Sequence, residues 1–151
     1  DKAVLYLKKA HGIDPNVFEV ELLLGHLLFK QERWDRALPH LKAATRLNPD
    51  DATAFRMKGE IFLDKLAKKD PKKASAQFTK ALKLNPSDAV SLSGYAQAMA
   101  SQGKNLKIAL TFANRSVALE PDSLLFKNRL KQIQETWDKL DATRTHTIKS
   151  A

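Results

Sequence analysis

His11, His26, His40 and His146 are the side chains best suited to bind a metal or to move a proton. None has a second histidine one helical turn away, and the chain has no cysteine, so no ligand set with metal-site spacing can be read from it. Neither metal nor cofactor is expected. Ser91 and Ser93 lie on a predicted helix without a His and Asp arrangement that would build a triad. The five glycines form no phosphate-cradling loop. The acid pair Asp50-Asp51 falls at a predicted helix N-terminus, where capping accounts for it. With no catalytic constellation, the chain is read as a binding module and not as an enzyme.

Charge offers a second kind of chemistry. The 151 residues carry 26 Lys and Arg against 17 Asp and Glu, a net +9 at pH 7. The excess is uneven. Between Lys65 and Lys83 stand seven lysines, among them Lys65, Lys68, Lys69, Lys72 and Lys73, with Asp70 as the single acid. Such a cluster can recruit RNA, anionic lipid or an acidic partner; equally, it can be the solvated face of two helix ends. No apolar run approaches the roughly 18 residues that suggest a membrane span. Asp1 opens the chain without Met or a signal-like segment, so a fragment or processed product is expected. The compartment stays open between cytoplasm and organelle.

A repeat must position whatever surface binds. Pro15, Pro49, Pro86 and Pro121 fall 34, 37 and 35 residues apart. Twelve residues before them stand Ala3, Ala37, Ala74 and Ala109, and eight before stand Leu7, Leu41, Phe78 and Ala113. Five before stand Ala10, Ala44, Ala81 and Ser116. Ten after the first three prolines come Gly25, Gly59 and Ala96, all small. A period in the mid-thirties means stacked helical pairs. Asp14, Asn48, Asn85 and Glu120 before the prolines, and capping residues such as Asp51 and Ser123 after them, mark the breaks between pairs. Breaks within the pairs fall near Gln31–Arg33, at Asp70-Pro71 and near Gly103–Asn105. The small residues let partner helices approach closely.

These columns resemble the tetratricopeptide repeat family. Leu24-Gly25 with Leu28, and Phe55, Gly59 and Phe62, match its first helix. Ala37, Leu41 and Ala44, then Ala74, Phe78 and Ala81, match its second, and Trp34 matches the turn between them. The resemblance implies an all-α solenoid over residues 1–141, with 1–15 as the second helix of a truncated repeat. Repeats follow at 16–49, 50–86 and 87–121, with a capping helix at 122–141 and a flexible tail at 142–151. Phe126, Leu130, Ile133, Trp137 and Leu140 form the cap's apolar stripe. Three extra residues around Lys68–Lys73 are expected to lengthen the helices of the second pair, and Pro39 to bend its helix mildly.

The resemblance further implies that first helices line a concave groove. Counted along those helices, its residues are Glu19, Leu22, His26 and Phe29, then Arg56, Met57, Glu60 and Leu63. Ser93, Gly94 and Gln97 follow, and the cap adds Asn128, Arg129 and Gln132. Leu22, Phe29 and Leu63 can instead simply pack on one another. One branch of the family grips chaperone C-terminal carboxylates with Lys, Asn and Arg, but the matching places here hold Leu22, His26, Met57, Val90 and Gly94. A protein-interaction scaffold without that clamp is the leading expectation, holding a partner's helix or extended segment between unpaired Arg56, Glu60 and Arg129. Polyanion binding through Lys65–Lys83, and self-assembly through the Ala3–Ala10 helix, are the alternatives.

Overall fold

Helix boundaries in this chain are written by short polar side chains. In the computed structural model, which describes residues 1–150, Asp14, Asn48 and Asn85 each accept the backbone N–H two residues on, at 2.9, 3.1 and 3.3 Å. Each thereby turns the chain around the proline between them. Asp1, Asp51 and Asp70 cap the helices that follow, accepting from the N–H groups of Ala3, Ala54 and Lys73. The helices are α1 (Lys2–Ile13), α2 (Phe18–Lys30), α3 (Trp34–Leu47), α4 (Ala52–Glu60), α5 (Pro71–Leu84), α6 (Ala89–Ser101), α7 (Leu106–Leu119) and α8 (Leu124–Ser150). No strand occurs among the described residues, and the chain is an all-α solenoid.

Small residues interlock the helices. Ala37, Ala44, Ala74, Ala81 and Ala109 are wholly buried, as are Leu41 and Phe78 between them. A Cβ on Gly25 would stand 2.6 Å from Leu41 Cδ2, and one on Gly59 2.8 Å from the Phe78 ring. Gly94 is closer still, its added Cβ reaching 2.3 Å from Phe78 Cζ. Phe78 is thus wedged between the glycine backbones of α4 and α6, and that contact ties the second repeat to the third.

The stacking has a sense of curvature. Contacts run from α2 to α4, from α4 to α6 and from α6 to α8, whereas no comparable row of contacts joins α3, α5 and α7. First helices therefore crowd together on the inner wall and second helices spread on the outer one.

Two expectations about helix length need correction. The extra residues of the second repeat do not lengthen both helices, since α5 has 14 residues, as α3 and α7 do. They are absorbed where α4 ends, by a π-helical turn over Ile61–Lys65 and a connection at 66–70. Leu66 N–H bonds Ile61 C=O at 3.3 Å and Asp70 N–H bonds Phe62 C=O at 2.8 Å, which closes the segment. Nor does the last helix stop at 141. It continues as α-helix to Ser150, although residues 138–150 are exposed. Thr143, Thr145 and Thr147 donate their hydroxyls to carbonyls four residues back along this exposed stretch. Residue 151 lies outside the described residues. Pro39 sits within α3 on its exposed side.

Candidate functional site: the inner wall

The inner wall divides into an apolar end, an ionic middle and an amide-lined end. At the first, α2 presents Leu22, His26 and Phe29, all half-buried, with Glu19 exposed beside them. Leu22 and Phe29 rest on the core cluster that holds Leu24, Leu28 and Met57. Burial, then Lys30 and Arg56, lowers the His26 pKa, so its ring is a neutral hydrogen-bonding group near pH 7.

The middle is held by ion pairs. Arg56 lies 3.9 Å from Glu60 and 3.8 Å from Asp88. Arg129 reaches across from α8 to donate to Asp64 on the π turn and to Ser93 Oγ on α6, each at 3.3 Å. Burial pushes the Glu60 carboxyl up, opposed by Arg56, Lys65 and Arg129. Burial likewise pushes the Arg129 guanidinium down, while Asp64 and Glu60 pull it back up. The guanidinium remains charged all the same. Arg56, Glu60 and Arg129 are consequently not the unpaired groove charges expected, because they satisfy one another and their neighbours.

At the far end a cleft of about 240 Å³ opens between α6 and α8, lined by Gln97, Ala100, Ser101, Gln132, Ile133 and Thr136. Asn128 is exposed one turn before Gln132. Gln97 Oε1 is buried without a hydrogen-bond partner there.

Four groove assignments fail for one reason. Met57, Leu63, Ser93 and Gly94 are buried, so they support the wall and do not face a ligand. Helical counting placed them on the inner side, but first helices also bury a stripe against each other there. Leu63 joins Phe62, Ala74 and Phe78 in the core, and Gly94 lies under Phe78.

Of the basic cluster, Lys65 stands 3.5 Å from Asp64, and its ammonium lies 5.9 Å from the centre of the Trp34 ring. Lys73 pairs with Asp70 at 3.6 Å and lies over Phe62. Lys68, Lys69 and Lys72 are exposed and make no ion pair among the described residues. Two of the scattered histidines do meet: His11 on α1 and His40 on α3 converge on Glu21 of α2. Separations of 10 and 19 residues in the chain gave no local signal for this cluster. Ser91 and Ser93 are buried, with Ser91 donating to Asp88 and Ser93 accepting from Arg129, so neither is presented as a nucleophile. No helix is long and apolar enough to cross a membrane among the described residues.

Residues 22–69 match the family model for the tetratricopeptide repeat. No curated protein matches the chain in sequence. Among solved structures it is similar to MamA, at a TM-score of 0.77 and 20% identity over 97% of this chain and 78% of that one. It is similar to the TPR domain of Arabidopsis OM64, at 0.68 and 21% over 78% and 94% of the two chains. The first TPR of Spaghetti (RPAP3), solved bound to the HSP90 peptide SRMEEVD, gives 0.68 and 21% over 80% and 93%. At these identities the likeness is one of fold.

Proposed function

We infer that this chain, which belongs to the tetratricopeptide repeat family, is an interaction scaffold whose inner wall holds a partner's helix or extended segment. The observation that carries the reading is the chemistry left accessible on that wall. Leu22, His26 and Phe29 offer apolar area and a neutral imidazole, and Gln97 and Gln132 offer amides, while Arg56 and Arg129 are already neutralised by Glu60, Asp88 and Asp64. With Arg56 and Arg129 paired, the middle of the wall offers no spare cation and exposed Lys30 is left at the apolar end, which discriminates against acidic tails in the middle and favours an amphipathic segment with few carboxylates. The peptide-bound fold relative adds support for a protein partner, while the clamp positions here (Leu22, His26, Met57, Val90 and Gly94) argue for a different kind of peptide.

The test uses displayed peptides selected on the wild type and counter-screened on a Leu22→Arg, Gln132→Glu variant whose helicity is verified by circular dichroism. Selected peptides should be apolar and neutral to basic, and should lose at least about tenfold in affinity for the variant. The peptide SRMEEVD should show no binding tighter than about 1 mM by fluorescence anisotropy. Peptides that bind wild type and variant alike would remove the inner wall as the site. Saturable micromolar binding of SRMEEVD would remove the specificity argument.

A second reading rests on Lys68, Lys69 and Lys72, which stand free where the insertion leaves the solenoid. Polyanion contact there would be electrostatic, so RNA affinity would fall steeply between about 50 and 200 mM salt. Affinity that is flat over that range removes this reading.

A further inference from the structure

We propose that His11, Glu21 and His40 form a binding site for a borderline divalent transition cation, with Zn2+ the type case, which fastens α1 to the α2–α3 hairpin. The three side chains come from three successive helices and aim at one point. His40 Nδ1 lies 2.8 Å from Glu21 Oε2, and His11 Nδ1 contacts the other carboxylate oxygen, Oε1. The imidazoles stand edge to face, with centroids 5.4 Å apart at 86°, so each presents a nitrogen to the same carboxylate. The candidate donor atoms all lie within 4.8 Å of one another.

The electrostatics of Glu21 call for a cation. Its side chain is 1% exposed, and its only charged-group partners among the described residues are these two histidines. A carboxylate taken out of water needs compensating charge, which either a proton on one of these imidazoles or a metal ion held between them supplies. Hydrogen bonding is itself incomplete. His11 Nδ1 and Glu21 Oε1 are buried and face each other without forming a well-aligned hydrogen bond.

The donor set selects the ion. Two imidazole nitrogens and one carboxylate oxygen suit Zn2+, Co2+, Ni2+ or Cu2+, whereas Ca2+ and Mg2+ take oxygen shells. Zinc needs donors at about 2.0–2.2 Å, hence roughly 3.3 Å from each other, so binding requires the two imidazoles to draw back from the carboxylate they now contact. The His11 side chain is 38% exposed, which leaves an entry path and an open fourth position for water. The consequence is mechanical. Only Val4 of α1 is buried, and α1 packs on α2 without a comparable contact to α3. An ion shared with His40 would bind α1 to both helices of the first pair.

The test is titration of the chelator-stripped protein with Zn2+ by calorimetry and with Co2+ by visible absorption. One ion should bind per chain, tighter than about 10 µM, and the melting temperature should climb with Zn2+ concentration. His11→Ala, His40→Ala and Glu21→Gln should each weaken binding by at least ~10–100-fold, while His146→Ala leaves it unchanged. Glu21→Gln keeps the side chain's shape and hydrogen-bonding capacity, which guards against loss of binding through unfolding. Absence of saturable Zn2+ binding by the folded wild type would overturn the proposal, as would undiminished binding by a helical His11→Ala, His40→Ala double variant.

Discussion

Gly94→Ala separates two opposite expectations by sign alone. Alanine in place of glycine inside a helix is worth about 1 kcal/mol in its favour. Against that stands the Phe78 ring, with Cζ, Cε2 and Cε1 at 2.3, 2.6 and 2.8 Å from the added Cβ. The ring is fully buried, and on its other side it already meets Gly59 at a distance that would admit no methyl group there either. Overpacking of a closed core costs about 1–3 kcal/mol, and a contact this short in a ring held from both sides belongs at the upper end. The net expectation is a loss of about 2 kcal/mol. Urea denaturation followed by circular dichroism should show a lower midpoint at unchanged slope. Gly12→Ala is the control, because nothing lies within 4 Å of its Cβ, and its midpoint should hold or rise. Phe78→Leu shortens the side chain that Gly94 faces. The double variant should therefore be less destabilised than the two single losses added, by at least about 1 kcal/mol. A raised midpoint for Gly94→Ala would mean that propensity acts alone, and the interlocking of α4, α5 and α6 through Phe78 would be refuted.

Lys58 is buried with its ammonium 3.2 Å from Thr45 Oγ1, and burial, Lys80 and Lys42 lower its pKa from 10.5 to about 8. The folded chain then binds fewer protons than the unfolded one between those values, so stability tied to this site rises from about pH 8 to 10.5. Lys58→Met should gain ~1–2 kcal/mol at pH 7, less than the full shift implies because contacts to Thr45 and Phe55 go too, and the gap should shrink by pH 10. A gap between variant and wild type that is constant across that pH range, measured by urea midpoints, would contradict the burial argument. Across the inner wall, an Arg129→Gln and Asp64→Asn double-mutant cycle should give a coupling of about 1 kcal/mol that weakens with salt, since Asp64 is partly exposed. Zero coupling at low salt would mean that α8 is not tied to the π turn by this pair.

The solenoid was legible because its signal is local and repeated. Gly25, Gly59, Phe78 and the alanines of the three complete repeats sit at fixed offsets from the prolines and are buried where those offsets put them, whereas Ala3 on the terminal helix is exposed and Ala10 half-buried. Inner-wall membership was legible only to within one face of a helix. Gly94 and Met57 differ from true surface neighbours by a fraction of a turn, and only the crossing of α4 against α2 and α6 decides which side is covered. Ion pairing of Arg129 with Asp64 spans 65 residues, and the His11, Glu21 and His40 cluster depends on how three helices cross. No period in the sequence encodes either. The C-terminal stretch of α8 shows a different limit: periodicity reports burial, and an exposed helix can persist without it.

The three-residue insertion explains more of this surface than its length suggests. Longer helices would have moved Ala74, Phe78 and Ala81 relative to α4 and α6, and the Phe78 wedge would be lost. Placing the extra residues instead in a π turn and a short connection leaves the repeat's register untouched, so Phe78 still meets both Gly59 and Gly94. The connection then has nowhere to go but outward, which is why Lys68 and Lys69 stand exposed. Widening the last turn also shifts the side chains that follow Glu60, and Asp64 ends within 3.3 Å of Arg129. One local change in hydrogen bonding thus builds the basic protrusion and neutralises the arginine on the inner wall. The counter-charge of Arg129 thus sits on the π turn, while that of Arg56 comes from Glu60 and Asp88.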